Sequence, residues 1–178
     1  MKPINEMSQG ELAAFIDTHL KNNGISVVLS GGASVAIYSN HTYVSKDLDF
    51  IAQFSIDMNA LEKVMGEIGF TRKGKYFYHP GTKFFIDFIP GPLSIGDNPI
   101  EDIREIEMET GVVRIISATD SVKDRLAGYY YWQDMQSLEQ AVLVAGNNPI
   151  DMTSVESWSK KEGKQIEYDQ FKRRLANQ

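Results

Sequence analysis

The apolar run Ile25-Ser26-Val27-Val28-Leu29 stops at Ser30-Gly31-Gly32, and beyond it the pattern changes from extended to helical within two residues. A run this short, rich in branched side chains, predicts a buried strand. Paired glycines at its end let the backbone take positive φ and approach a bulky group closely. Ala33 to Ser39 then opens a short helix whose free N–H groups and positive dipole end face the same place, with the Ser30 and Ser34 hydroxyls at hand. The next extended run, Ser45 to Ala52, carries Asp47-Leu48-Asp49. Residues i and i+2 of a strand share a face, about 6.6 Å apart along the backbone, so the two carboxylates converge while Leu48 turns to the core. Pieces in this order predict an α/β architecture, a short mixed sheet with helices packed on it.

The flanking segments extend that plan. Ser8-Gln9-Gly10-Glu11 has capping-box spacing, and Leu12, Phe15, Ile16 and Leu20 follow at helical intervals up to Gly24. After Asp57, the residues Met58, Leu61, Val64, Met65 and Ile68 predict a second long helix, closed by Gly69. Phe70–Tyr78 and Lys83–Ile89 read as two strands of a hairpin turning at His79-Pro80-Gly81. Pro90-Gly91-Pro92 leads into a loop, and Arg104 to Ile116 reads as a second hairpin turning near Thr110-Gly111. From Thr119 the period is helical, with Val122, Leu126 and Tyr129 on one face, then Met135, Leu138, Val142 and Ala145. Asp151 to Gln178 is polar, anchored only by Val155, Trp158, Ile166, Phe171 and Leu175, and is expected to be peripheral helix. The boundary falls between a core of residues 1–117 and a helical region, 118–178, packed on it.

Composition narrows the chemistry. With no cysteine in the chain, disulfides and thiolate chemistry are excluded, and carboxylates are the plentiful metal ligands, suited to hard ions such as magnesium or manganese. Two such ions about 3.5–4 Å apart clamp the attacking and leaving oxygens of an in-line phosphoryl displacement. Asp87, alone in Phe84-Phe85-Ile86-Asp87-Phe88-Ile89, is costly to bury unless paired or metal-bound. It is either the third ligand or a hydrogen-bonded core acid. A net charge of −6 argues against a broad nucleic-acid-binding surface, so any nucleotide contact is local. No run of about 18 apolar residues predicts a membrane span, and the amino terminus lacks the apolar core of a signal peptide, which predicts a cytoplasmic protein. Asp-X-Asp also occurs on solvated strand edges and in metal-dependent phosphatases and glycosyltransferases. The phosphatase pattern wants a more apolar approach than Tyr43-Val44-Ser45-Lys46 and Thr or Val in place of Ile51.

The run from Leu29 to Ala36, followed by Ser45 to Phe50, resembles the signature of the DNA polymerase beta-like nucleotidyltransferase superfamily, nearest to its AbiEii-type and minimal members. That resemblance implies the nucleotidyltransferase fold with a C-terminal helical portion. It implies that Gly31 and Gly32, with Ser30 and Ser34, contact the triphosphate of an NTP and that Asp47, Asp49 and Asp87 bind magnesium. More weakly, Ser117 to Ala127 resembles the helix that brings a lysine, here Lys123, to the phosphates; Lys123, Asp124 and Arg125 equally fit a charged helix face. Relatives often carry an arginine where this chain has Tyr43. The reaction implied moves a nucleoside monophosphate from an NTP to an acceptor hydroxyl of a small molecule, a tRNA end or a protein side chain. The alternative is a catalytically silent module of a toxin-antitoxin type system, acting through a protein or RNA partner. The acidic balance and the aromatic run Tyr129-Tyr130-Tyr131-Trp132 would suit a protein partner.

Overall fold

The computed structural model describes residues 2–178. After a single 3-10 turn at Ile4–Glu6, helix α1 spans Gln9–Asn22, and its capping box is complete: Ser8 accepts from the Glu11 N–H while Glu11 accepts from that of Ser8. Strand β1 (Val27–Ser30) runs directly into α2 (Gly31–Tyr38), so both glycines are already the first helical residues and not a turn before them. Then come β2 (Asp47–Ala52) and α3 (Met58–Glu67), the latter capped by Asp57. Strands β3 (Thr71–Lys73), β4 (Tyr76–Tyr78), β5 (Phe85–Ile89), β6 (Ser94–Ile95), β7 (Asn98–Pro99), β8 (Ile103–Met108) and β9 (Gly111–Ile116) follow. The chain finishes as α4 (Ala118–Trp132), α5 (Met135–Asn147), α6 (Met152–Lys161) and α7 (Gln165–Ala176).

Seven strands form one mixed sheet in the order β3-β4-β5-β2-β1-β9-β8, with β2–β5 and β1–β9 parallel and the remaining pairs antiparallel. One face is closed by α1 and α3. Leu12, Ile16 and Leu20 of α1 and Leu61 and Met65 of α3 join Leu48, Phe50, Phe77 and Ile86 of the sheet in a fully buried cluster. A second cluster lies among the C-terminal helices, where Val122, Leu126, Leu138, Val155, Trp158, Tyr168 and Phe171 pack together with Val35 of α2. No helix among the described residues is long and apolar enough to cross a membrane.

Three expectations are corrected. Phe70–Tyr78 is not one strand: Gly74, at φ +65°, reverses the chain and splits the segment into β3 and β4. Thr71, Arg72 and Lys73 are exposed, a charged edge strand that resists further pairing. The segment after Pro92 is not all loop, since β6 and β7 pair around Gly96. In the last two helices the expected anchors Val155, Trp158 and Phe171 are buried, but Ile166 is 74% exposed and Tyr168 is buried in its stead. In the aromatic run, Tyr129 and Tyr130 are core, whereas Tyr131 and Trp132 are exposed.

Candidate active site

Register brings the carboxylates together. In the parallel pair, Asp47 stands opposite Phe85 and Asp49 opposite Asp87, and β1 pairs antiparallel with β2 so that Ser30 faces Asp49. Side chains at matched positions of neighbouring strands lie on the same face, which places Asp47, Asp49 and Asp87 on the face opposite Leu48, Phe50 and Ile86. Because β1 ends beside Asp49, the first turn of α2 is delivered to the same point.

The glycines are required by contact as well as by conformation. Gly31 has φ +63°, and a Cβ there would collide with Asp49 Oδ2; at Gly32 a Cβ would stand 2.8 Å from Ser45 Oγ. Ser30, the N-cap of α2, makes no side-chain capping bond, so the positive end of this eight-residue helix is uncapped beside Asp49. Neither serine hydroxyl is held in reserve, however. Ser34 Oγ donates to the Gly31 carbonyl at 2.8 Å and meets Ser121 Oγ of α4 at 2.9 Å, fully buried, while Ser30 Oγ reaches the Asp49 carbonyl at 3.5 Å.

Residues outside the expected set hold the carboxylates. Ser45 Oγ donates to Asp47 Oδ1 at 2.6 Å, and buried Gln9 of α1 donates to the carbonyls of Ser45 at 3.2 Å and Asp47 at 3.0 Å. Lys75, on the β3–β4 turn, donates to Asp87 Oδ2 at 2.7 Å. Burial, and then the neighbouring charges of Asp47 and Asp87, push the Asp49 carboxyl up to about 7, opposed by the Arg125 guanidinium and reinforced by Asp124. Arg125 is tied to Asp124 at 3.0 Å through Nε and to Gln140 at 3.4 Å.

Lys123 is not brought to the aspartates. Its ammonium lies 3.4 Å from Asp120, on a cavity of about 430 Å³ that it lines with Ile95, Asn98, Ile100 and Trp158. Two residues along a helix correspond to about 200°, so when Arg125 faces Asp49, Lys123 faces away. Both cations flank the apolar stripe of Val122, Leu126 and Tyr129, and helical period cannot say which flank meets the sheet. Gln9 had no sequence signal, being one polar residue in a first turn; Ser45 had one, its i−2 spacing from Asp47.

Among the described residues, no three acidic or imidazole side chains stand as a ready-made cation cage. Asp47 and Asp49 nonetheless suit a hard cation, because they share one face of β2 and the charge on Asp49 is poorly compensated without one. Asp87 differs from them in already holding an ammonium ion.

No protein-family model matches the sequence, and neither does any curated protein at a significant level. Among solved structures, an antigenic nucleotidyltransferase-like protein from Paracoccidioides brasiliensis is similar over 76% of this chain and 74% of its own, with 11% identity and a TM-score of 0.59. Two structures of the antibiotic-resistance factor ANT(2'')-Ia are also similar. One, in complex with adenylyl-2''-tobramycin, has 15% identity and a TM-score of 0.49, covering 90% of this chain and 94% of its own. The other, determined in solution, has 17% identity and a TM-score of 0.46, covering 92% and 90%. The likeness to the first of these shows that the chain shares the nucleotidyltransferase fold.

Proposed function

We propose that this protein is a metal-dependent nucleotidyltransferase that moves a nucleoside monophosphate from an NTP to an acceptor hydroxyl and releases pyrophosphate. The observation that carries this reading is the seating of an uncapped helix start, Gly31-Gly32, against Asp49 with Asp47 and Asp87 on the same sheet face. An anion-binding helix end beside a cluster of carboxylates is needed where a polyphosphate and a hard cation meet. A magnesium or manganese ion on Asp47 and Asp49 would supply Lewis acidity at the phosphate oxygens.

The chain's own residues do the rest. The backbone N–H groups of the first turn of α2 hold the triphosphate, and the missing side chains of Gly31 and Gly32 let Asp49 and Ser45 pack directly against that turn. Arg125, rather than Lys123, is the α4 cation that offsets negative charge at this point. The acceptor oxygen bonds to the α-phosphorus as the bond from that phosphorus to the bridging oxygen breaks. Pyrophosphate leaves with that oxygen, and the hydroxyl proton passes to Asp87 Oδ1, the oxygen not engaged by Lys75. Ser45 and Gln9 keep Asp47 in place.

The test is pyrophosphate release from NTPs across a panel of hydroxyl acceptors. Asp47→Asn and Asp49→Asn should each lower the rate by about 100-fold, equivalent to about 2.7 kcal/mol of transition-state stabilisation. Unaltered turnover in either variant would sink the assignment. Nucleotide binding without release across the whole panel would favour the silent module.

A further inference from the structure

The β3–β4 hairpin sets a lysine on the third carboxylate. Lys73 pairs with Tyr76, leaving Gly74-Lys75 as a two-residue turn with a positive-φ glycine first, a geometry that matches strand twist. Tyr76 in turn stands opposite Asp87 on β5, so Lys75 overhangs the Asp87 side chain. Its ammonium is 2.7 Å from Asp87 Oδ2 and 4.5 Å from the Tyr76 ring centroid. The turn is itself anchored, since Arg72 donates to the Gly74 carbonyl at 2.9 Å and pairs with Glu62 of α3. Lys75 is 66% exposed and Asp87 12%. An exposed lysine gains little from an ordinary pair, having rotamer freedom to lose; here its partner is nearly buried, on a face that already carries Asp47 and Asp49.

We propose that Lys75 is the resident second cation of the site: its ammonium occupies Asp87, so that with nucleotide bound the protein takes one divalent ion, on Asp47 and Asp49, and not two. This rests on the nucleotidyltransferase reading. Cations bound to one carboxylate repel each other, so the ammonium and a second ion compete for Asp87. Lys75 is a positioning residue, acting through the carboxylate it holds. A merely structural lysine, neutralising a buried acid, would affect stability and leave ion count untouched.

The experiment is a manganese titration of the full chain in the presence of a nonhydrolysable NTP, followed by the paramagnetic resonance of free manganese. Wild type should bind one ion beside the nucleotide and Lys75→Met two, while Lys75→Arg should return to one. Melting curves identify any variant that does not fold, and Lys75→Gln then replaces Lys75→Met. Two ions in wild type, or one in both wild type and a folded Lys75→Met protein, would overturn the role of Lys75 and leave the enzyme reading standing. Wild type that binds neither nucleotide nor manganese would overturn both.

Discussion

Asp49 is the residue on which the electrostatics of the site converge. Its carboxyl is held at about 7, against an ordinary value of 3.8, so between those two values the folded chain keeps a proton that the unfolded chain has released. Its contribution to stability is therefore fully present below about pH 4 and is lost as pH rises through 7. Asp49→Asn carries no such charge, so its stability relative to wild type should grow across that window, by a few kcal/mol at most. Urea unfolding in a chelator at a series of pH values measures the difference. Comparing the two proteins matters because other carboxylates work the other way. Glu11, held at about 2 by the hydrogen bond from Lys2 and by the Ser8 backbone, gives stability that is present above its unfolded value and lost as pH falls toward 2. Parallel pH curves for the two proteins would show that Asp49 does not bear the strain assigned to it.

At the scale of elements, α1 acts as a brace between the two halves of the sheet. Gln9, in its first turn, holds the entry to β2, and Asp17 two turns later accepts from the backbone N–H of Arg114 on β9 and from its guanidinium. Asp17 is almost wholly buried. Removing one member of such a pair leaves the other charge uncompensated, so Asp17→Ala should cost about 3–5 kcal/mol. The proposed chemistry lies elsewhere on the sheet, and the specific activity of the folded fraction should stay at the wild-type level. A denaturant midpoint within error of wild type would mean that the brace is not needed. α2 plays a different part. It carries Gly31 and Gly32, which we propose face the phosphates, at one end, and at Ser34 it is bonded to α4, which ties the glycine-bearing turn to the C-terminal helices.

That tie bears on the molecule as a whole. Val35 of α2 is fully buried within the C-terminal cluster, and Tyr38 and Tyr43 pack against the same cluster. Residues 118–178 are helical and residues 1–117 mix helices with all the strands, but we propose that the two segments unfold as one cooperative unit. A chain ending at Ser117 should expose Val35, Tyr38 and Tyr43 together and lose its sigmoidal unfolding transition, whereas the full chain should show a single one. A soluble truncated protein with a cooperative melt would establish the first segment as an independent domain. The apolar residues left exposed at the α4–α5 junction, Tyr131, Trp132 and Met135, belong to neither buried cluster.

What the sequence determined by itself is what depends on near neighbours. The capping box of Ser8 and Glu11, the hairpin expected near Thr110-Gly111, which turns at Glu109-Thr110, and the opposed faces of Asp47 and Leu48 all follow from spacings of a few residues, and the structure contains each of them. A glycine pair followed by a helical period likewise marked a helix start, with only its first residue misplaced. What tertiary structure decided is which groups distant in sequence meet. Lys75 and Asp87 are joined because a two-residue turn stands over β5, and Arg125 rather than Lys123 faces Asp49 because of the roll of α4. The Ser34 hydroxyl is spent on Ser121 because α2 and α4 touch there. A helical or strand period gives the phase of a side chain only relative to its own element; the partner it finds is set by packing between elements, which minimises exposed apolar surface over the whole chain.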